Sequence, residues 1–186
     1  MEYKSVNMNG EYKRLDLEDD GFVWYEGYAS VFDVEDAYGD IVRQGAFKSS
    51  LEKRSPIILY QHNSQQPVGK IGVAREDSYG LWIRFGILAS LPMGDVAIKL
   101  LDNKIINGLS IGYNIVRAVE MPNGGRELQE LDLYEISIVT FPANELSRVI
   151  DAEGDDGVND AEDLSEWLSA LKSFNNFSKN KEFSHD

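Results

Sequence analysis

Three segments of the chain hold side chains that could together perform acyl transfer. His62, in Leu59-Tyr60-Gln61-His62-Asn63, is one of only two histidines. Ser110 lies between glycines in Gly108-Leu109-Ser110-Ile111-Gly112, and there is no cysteine to act as nucleophile in its place. A serine hydroxyl attacks poorly until a base takes its proton, and an imidazole that titrates near neutrality is the usual base. Glu135 sits within the otherwise apolar run Leu133-Tyr134-Glu135-Ile136-Ser137-Ile138-Val139. A carboxylate there could face solvent on the outside of a sheet. Alternatively it pairs with His62, fixing the tautomer of the ring and stabilising the imidazolium that forms when the serine proton moves.

Elements of period two must position these groups. Residues 22–32 alternate as a half-buried strand does, and 57–60, 68–74, 81–88, 109–119, 127–131 and 133–141 read the same way. In the last of these, Glu135, Ser137 and Val139 share one face. Helices are predicted at 46–53 and 94–106, the second with Val96 and Leu100 on its apolar side and Asn103 and Lys104 on its charged side. Gly39 and Gly45 shape a turn into the first helix, and Pro122-Asn123-Gly124-Gly125 forms a hairpin turn. The pattern predicts a mainly β fold with two helices, built on an antiparallel sheet or barrel. Gly108 to Gly112 also matches the G-x-S-x-G elbow of the α/β-hydrolases, which needs a strand before the serine and a helix after it. Here the order is reversed, and the only later histidine is His185 in the tail, so that family is rejected.

Composition narrows the function classes. A net charge of −14 disfavours nucleic acid and anionic lipid as partners. No run is apolar and long enough for a membrane span, and the N-terminus lacks a signal-peptide pattern, so an intracellular setting is expected. Without cysteine and with two distant histidines, neither a metal nor a cofactor is expected. Asp33, Glu35, Asp36 and Asp40 lack the spacing of a calcium loop and read as a solvated acidic loop. Trp24 and Trp82 read as core or sheet-face packing. Residues 151–160 have almost nothing to bury, so a domain spanning 1–150 is expected, followed over 151–186 by an acidic linker, a short amphipathic helix on Leu164, Trp167, Leu168 and Leu171, and a flexible tail.

Six blocks then occur in order: Gly27-Tyr-Ala-Ser-Val-Phe32, Asp40-Ile-Val-Arg-Gln-Gly-Ala-Phe47, Leu59-Tyr-Gln-His-Asn63, Pro67-Val-Gly-Lys70, Gly108-Leu-Ser-Ile-Gly-Tyr113 and Leu133-Tyr-Glu-Ile-Ser-Ile-Val-Thr-Phe-Pro-Ala-Asn144. Over roughly residues 22–150 the chain resembles the tailed-phage prohead maturation proteases, related to the herpesvirus assembly proteases. The resemblance implies a serine endopeptidase with a herpesvirus-protease-like fold, an antiparallel β-barrel surrounded by helices, working inside the immature capsid in the bacterial host cytoplasm. It implies the major capsid protein, its scaffolding segments and the enzyme itself as substrates, with self-association. Matched block by block, it implies Ser110 as nucleophile, His62 as base and Glu135 as the group orienting His62. The second histidine and arginine pair of the herpesvirus enzymes have no counterpart in Phe141-Pro-Ala-Asn144, and backbone N–H groups are the expected oxyanion donors. The rival readings are a catalytically inactive internal scaffold protein of the same fold, and an esterase or amidase for small acyl substrates. Truncation after Ile150 is expected to leave a soluble, cooperatively unfolding protein. An insoluble product would show that the tail belongs to the folded domain.

Overall fold

The computed structural model describes residues 21–150. Seven strands and two short helices follow in the order β1 (Phe22–Val31), β2 (Ile41–Val42), α1 (Lys48–Lys53), β3 (Ile57–Tyr60), β4 (Asn63–Glu76), β5 (Gly80–Leu88), α2 (Pro92–Asp102), β6 (Gly108–Glu120) and β7 (Arg126–Val139). The expectations for 151–186 lie outside the described residues.

β7 is the axis of the sheet. β6 pairs antiparallel along its whole length, whereas the other edge takes β2 at Glu127 and Leu128 and β3 from Glu135 to Ile138. Beyond β3 the order continues through β4 and β5 to β1. The antiparallel expectation needs correcting: both β2 and β3 run parallel to β7, so the sheet is mixed. Side-chain alternation reports which face a residue takes and is blind to strand direction. The two predicted strands at 127–131 and 133–141 form the single strand β7, and β2 is too short for a two-residue period to register. The sheet curls until residues 147–150 bridge its outer strands. Leu109 N–H donates to Ser147 O at 2.8 Å on the β6 side, and Ile150 N–H donates to Glu26 O at 2.9 Å on the β1 side.

The concave face holds the core, with Ile58, Phe85, Leu109, Leu133, Ile136 and Ile138 all below 2% exposed. Trp24 and Trp82 are half-buried on the sheet face, where the guanidinium of Arg75 stacks 4.6 Å from the Trp82 ring centre, in line with the packing role expected of them. α2 ends earlier than predicted, at Asp102, and Lys104 enters the left-handed region at φ 55°. Its inner face also differs: Gly94, Ala97, Ile98 and Leu101 are buried, while Val96 is 41% exposed. Among the described residues no helix is long and apolar enough to cross a membrane.

α1 pins the middle of β7. The buried hydroxyl of Ser50 accepts the Leu133 N–H at 2.8 Å, and Arg54 pairs with Asp132 at 3.0 Å. This contact lies just where β6 and β7 lose strict register between Gly112 and Tyr113, so the orphaned ladder group is satisfied from the helix. Ser50→Ala is expected to lower unfolding free energy by about 1–3 kcal/mol, the cost of a buried N–H without an acceptor. Denaturant titration of the two proteins checks it.

Candidate active site

Each predicted site residue comes from a different strand or turn around β7. Ser110 of β6 lies directly opposite Ser137 of β7, and Gly112 directly opposite Glu135. Paired residues of an antiparallel ladder point to the same face, so Ser110, Ser137 and Glu135 share one side of the sheet. His62 arrives from the other edge. It is the second residue of the two-residue β3–β4 connection, in which Gln61 and His62 have φ of 53° and 55°.

Positive φ at both positions is the signature of a type I′ hairpin turn, for which Asn-Gly is preferred. Two larger residues hold this conformation because β7 anchors them. Gln61 N–H donates to Ile138 O at 3.0 Å, the Gln61 side chain donates to Thr140 Oγ1 at 2.9 Å, and His62 N–H donates to Ser137 Oγ at 3.0 Å. Left-handed non-glycine residues cost about 1–3 kcal/mol each and persist where surrounding contacts overdetermine them. The turn therefore delivers the imidazole to a fixed place, with its Nδ1 2.6 Å from Glu135 Oε1.

With a carboxylate as the acceptor, Nδ1 carries the proton and Nε2 is left free to act as a base. Glu135 is 15% exposed and His62 44% exposed, so the pair straddles the surface. The hydrogen bond to Glu135, and then its charge, raise the His62 pKa above its ordinary 6.5, against desolvation acting the other way. His62 and Ser110 line one cleft of about 370 Å³, together with Ile111, Tyr113, Phe141 and Asn144. Ser110 is 8% exposed. Among the described residues no hydrogen bond joins Ser110 Oγ to His62; such contacts commonly tighten only once substrate is bound.

Gly108 and Gly112 are explained by close approach, without any nucleophile elbow. A Cβ on Gly112 would stand 2.2 Å from Glu135 Oε1, so the missing side chain is the space through which the carboxylate reaches His62. A Cβ on Gly108 would meet Val139 O at 2.7 Å. Sequence reasoning gave neither Gly112 nor Ser137 a role, although the shared face of Glu135 and Ser137 was readable from their spacing. The acidic loop is satisfied internally: Asp40 pairs with Arg126, Asp33 with Arg43, and Asp36 accepts two backbone N–H groups. Among the described residues no cluster of acids and histidines could hold a metal.

The curled mixed sheet is a viral assembly-protease fold. The capsid assembly protease gp21 of bacteriophage T4 superposes with a TM-score of 0.52 at 9% identity, over 71% of this chain and 84% of that one. The chain belongs to the caudovirus prohead serine protease family, whose model matches residues 11–159. The prohead protease of Enterobacteria phage HK97 is 34% identical over 150 residues, which are 77% of this chain and 66% of that protein. The prohead protease of Escherichia phage T5 is 30% identical over 173 residues, 89% of this chain and 79% of that one.

If His62 is the base, activity requires its neutral ring and must appear as pH rises through its raised pKa. The acid limb of kcat/KM is therefore expected above pH 6.5. Glu135→Gln removes the cause of the shift, moving that limb downward while the rate falls on the order of 10²-fold or more. A limb that stays in place in this variant would show that Glu135 does not govern His62.

Proposed function

We propose that this protein is a prohead maturation serine endopeptidase, which cleaves scaffolding segments of capsid proteins, and finally itself, inside the immature phage capsid. The observation that carries the reading is the 2.6 Å hydrogen bond between Glu135 and His62, whose ring shares a cleft with Ser110, within a chain of the prohead protease family. In this mechanism Ser110 Oγ attacks the scissile carbonyl as His62 Nε2 takes its proton. The tetrahedral intermediate collapses as His62 returns the proton to the leaving amine. Water, deprotonated by the same imidazole, then releases the acyl group and restores the serine. Glu135 keeps Nδ1 protonated and stabilises the imidazolium in both halves of the cycle. Self-association, and the interior of the prohead in the infected host as the place of action, belong to the same proposal.

Two features favour this over the rivals. A non-catalytic scaffold protein has no need of a half-buried carboxylate aimed at an imidazole through the space left by a glycine. A small-acyl esterase needs a deep apolar pocket, whereas the cleft is rimmed by Tyr38 and Phe141 at 80% and 89% exposure.

Co-expression with the phage's capsid and scaffold proteins, read by intact mass, tests the proposal. Wild-type protein is expected to give defined fragments, and Ser110→Ala none while remaining folded. Identical fragments from both proteins would overturn Ser110 as nucleophile, and none from either would favour the scaffold role.

A further inference from the structure

Ser137 lies two residues beyond Glu135 on the same face of β7 and is fully buried. Its hydroxyl donates to Glu135 Oε2 at 2.7 Å, and its oxygen accepts the His62 backbone N–H at 3.0 Å. One side chain thus holds both members of the pair: the far oxygen of the carboxylate and the main chain of the histidine. A hydroxyl has a single proton to give, and that of Ser137 goes to Glu135. Of the two serines facing each other across the β6–β7 ladder, Ser137 is therefore committed to the acid, and Ser110 is the one available to a base.

We propose that Ser137 is a positioning residue for the reaction, holding the Glu135 carboxylate at Nδ1 and the His62 turn in its left-handed conformation at the same time. The inference rests on the reading of Ser110, His62 and Glu135 given above. Among the described residues, the hydrogen-bond partners of the Glu135 carboxylate are His62 and Ser137. Without the serine, Oε2 is left half-buried and unsatisfied, and the carboxylate gains by rotating toward water and away from Nδ1. His62 meanwhile loses the hydrogen bond to its own N–H. The other ionisable groups around the cleft are Asp36, Tyr38, Tyr113, and Asp40 in its pair with Arg126; none of these is bonded to His62 or Glu135.

The test reads His62 directly. In the Ser110→Ala protein, which cannot turn over, the ring of His62 is titrated by NMR with and without Ser137→Ala, the signal being assigned by its loss in His62→Gln. The added Ser137→Ala is expected to lower the midpoint, because the Glu135 contact that raises it is loosened. In otherwise wild-type protein, Ser137→Ala is expected to reduce kcat on a capsid-derived peptide on the order of 10²-fold, the effect of a small misplacement of a catalytic group, with KM little changed. Thr140→Val removes a different anchor of the same turn. It is expected to lower Tm while leaving the His62 midpoint where it was, a pattern that separates positioning from mere support of the turn. Should Ser137→Ala fail to fold, Ser137→Cys, near in volume but only a weak donor, takes its place in both experiments. An unchanged midpoint, or an unchanged kcat, overturns the proposal. If the wild type cleaves nothing, the functional reading fails, while the midpoint still decides whether Ser137 sets the His62–Glu135 pair.

Discussion

The organisation of this site follows from one constraint, a carboxylate set into the half-buried middle of a β-strand. Glu135 is flanked along β7 by Leu133, Ile136 and Ile138, none of them measurably exposed. A charge in such surroundings is tolerated only when hydrogen-bonded. One oxygen is bound by the imidazole of His62 and the other by Ser137. For the imidazole to be there at all, β3 must lie alongside this part of β7, and the chain must reverse within two residues. The parallel β3–β7 pairing and the left-handed Gln61–His62 turn thus serve the same contact.

The opposite strand is shaped by the same group. β6 passes Glu135 at Gly112, the residue whose lack of a side chain leaves room for the carboxylate. Two residues earlier the same strand presents Ser110 on the same face. Spacing along β6 and register with β7 therefore fix the serine relative to the acid, while the turn fixes the histidine relative to both. Three elements far apart in sequence meet through ladder geometry rather than through flexible loops, which is how rigid positioning of catalytic groups is achieved.

Much of this was legible beforehand, and the gaps have physical causes. β1 declares itself because Tyr25, Gly27 and Ala29 are buried on one face, which imposes a period of two, whereas in β6 only Gly108 to Ser110 are buried and the residues from Asn114 to Arg117 are exposed on both faces. Strand direction leaves no such trace, so the parallel partners of β7 were missed. The inner face of α2 was misread because its buried positions include the small residues Gly94 and Ala97, which carry little weight in a hydrophobic pattern. The three candidate groups could be singled out by chemical type and by the ordered blocks around them. That His62 occupies a left-handed turn could not, because neither Gln61 nor His62 is a residue that announces one; the conformation is imposed by anchors on β7, about 75 positions away. Ser137 was visible as a neighbour of Glu135, but a hydroxyl in a strand acquires a role only when its two partners are seen.

In the proposed mechanism the His62–Glu135 pair activates Ser110 and no other serine. An activated aryl phosphonate, which bonds covalently to serines made nucleophilic by an adjacent base, tests this most directly when followed by peptide mapping. A single adduct is expected, on Ser110, and it is abolished in His62→Ala. An adduct on Ser137 or another serine, or labelling of Ser110 that persists without His62, would contradict it.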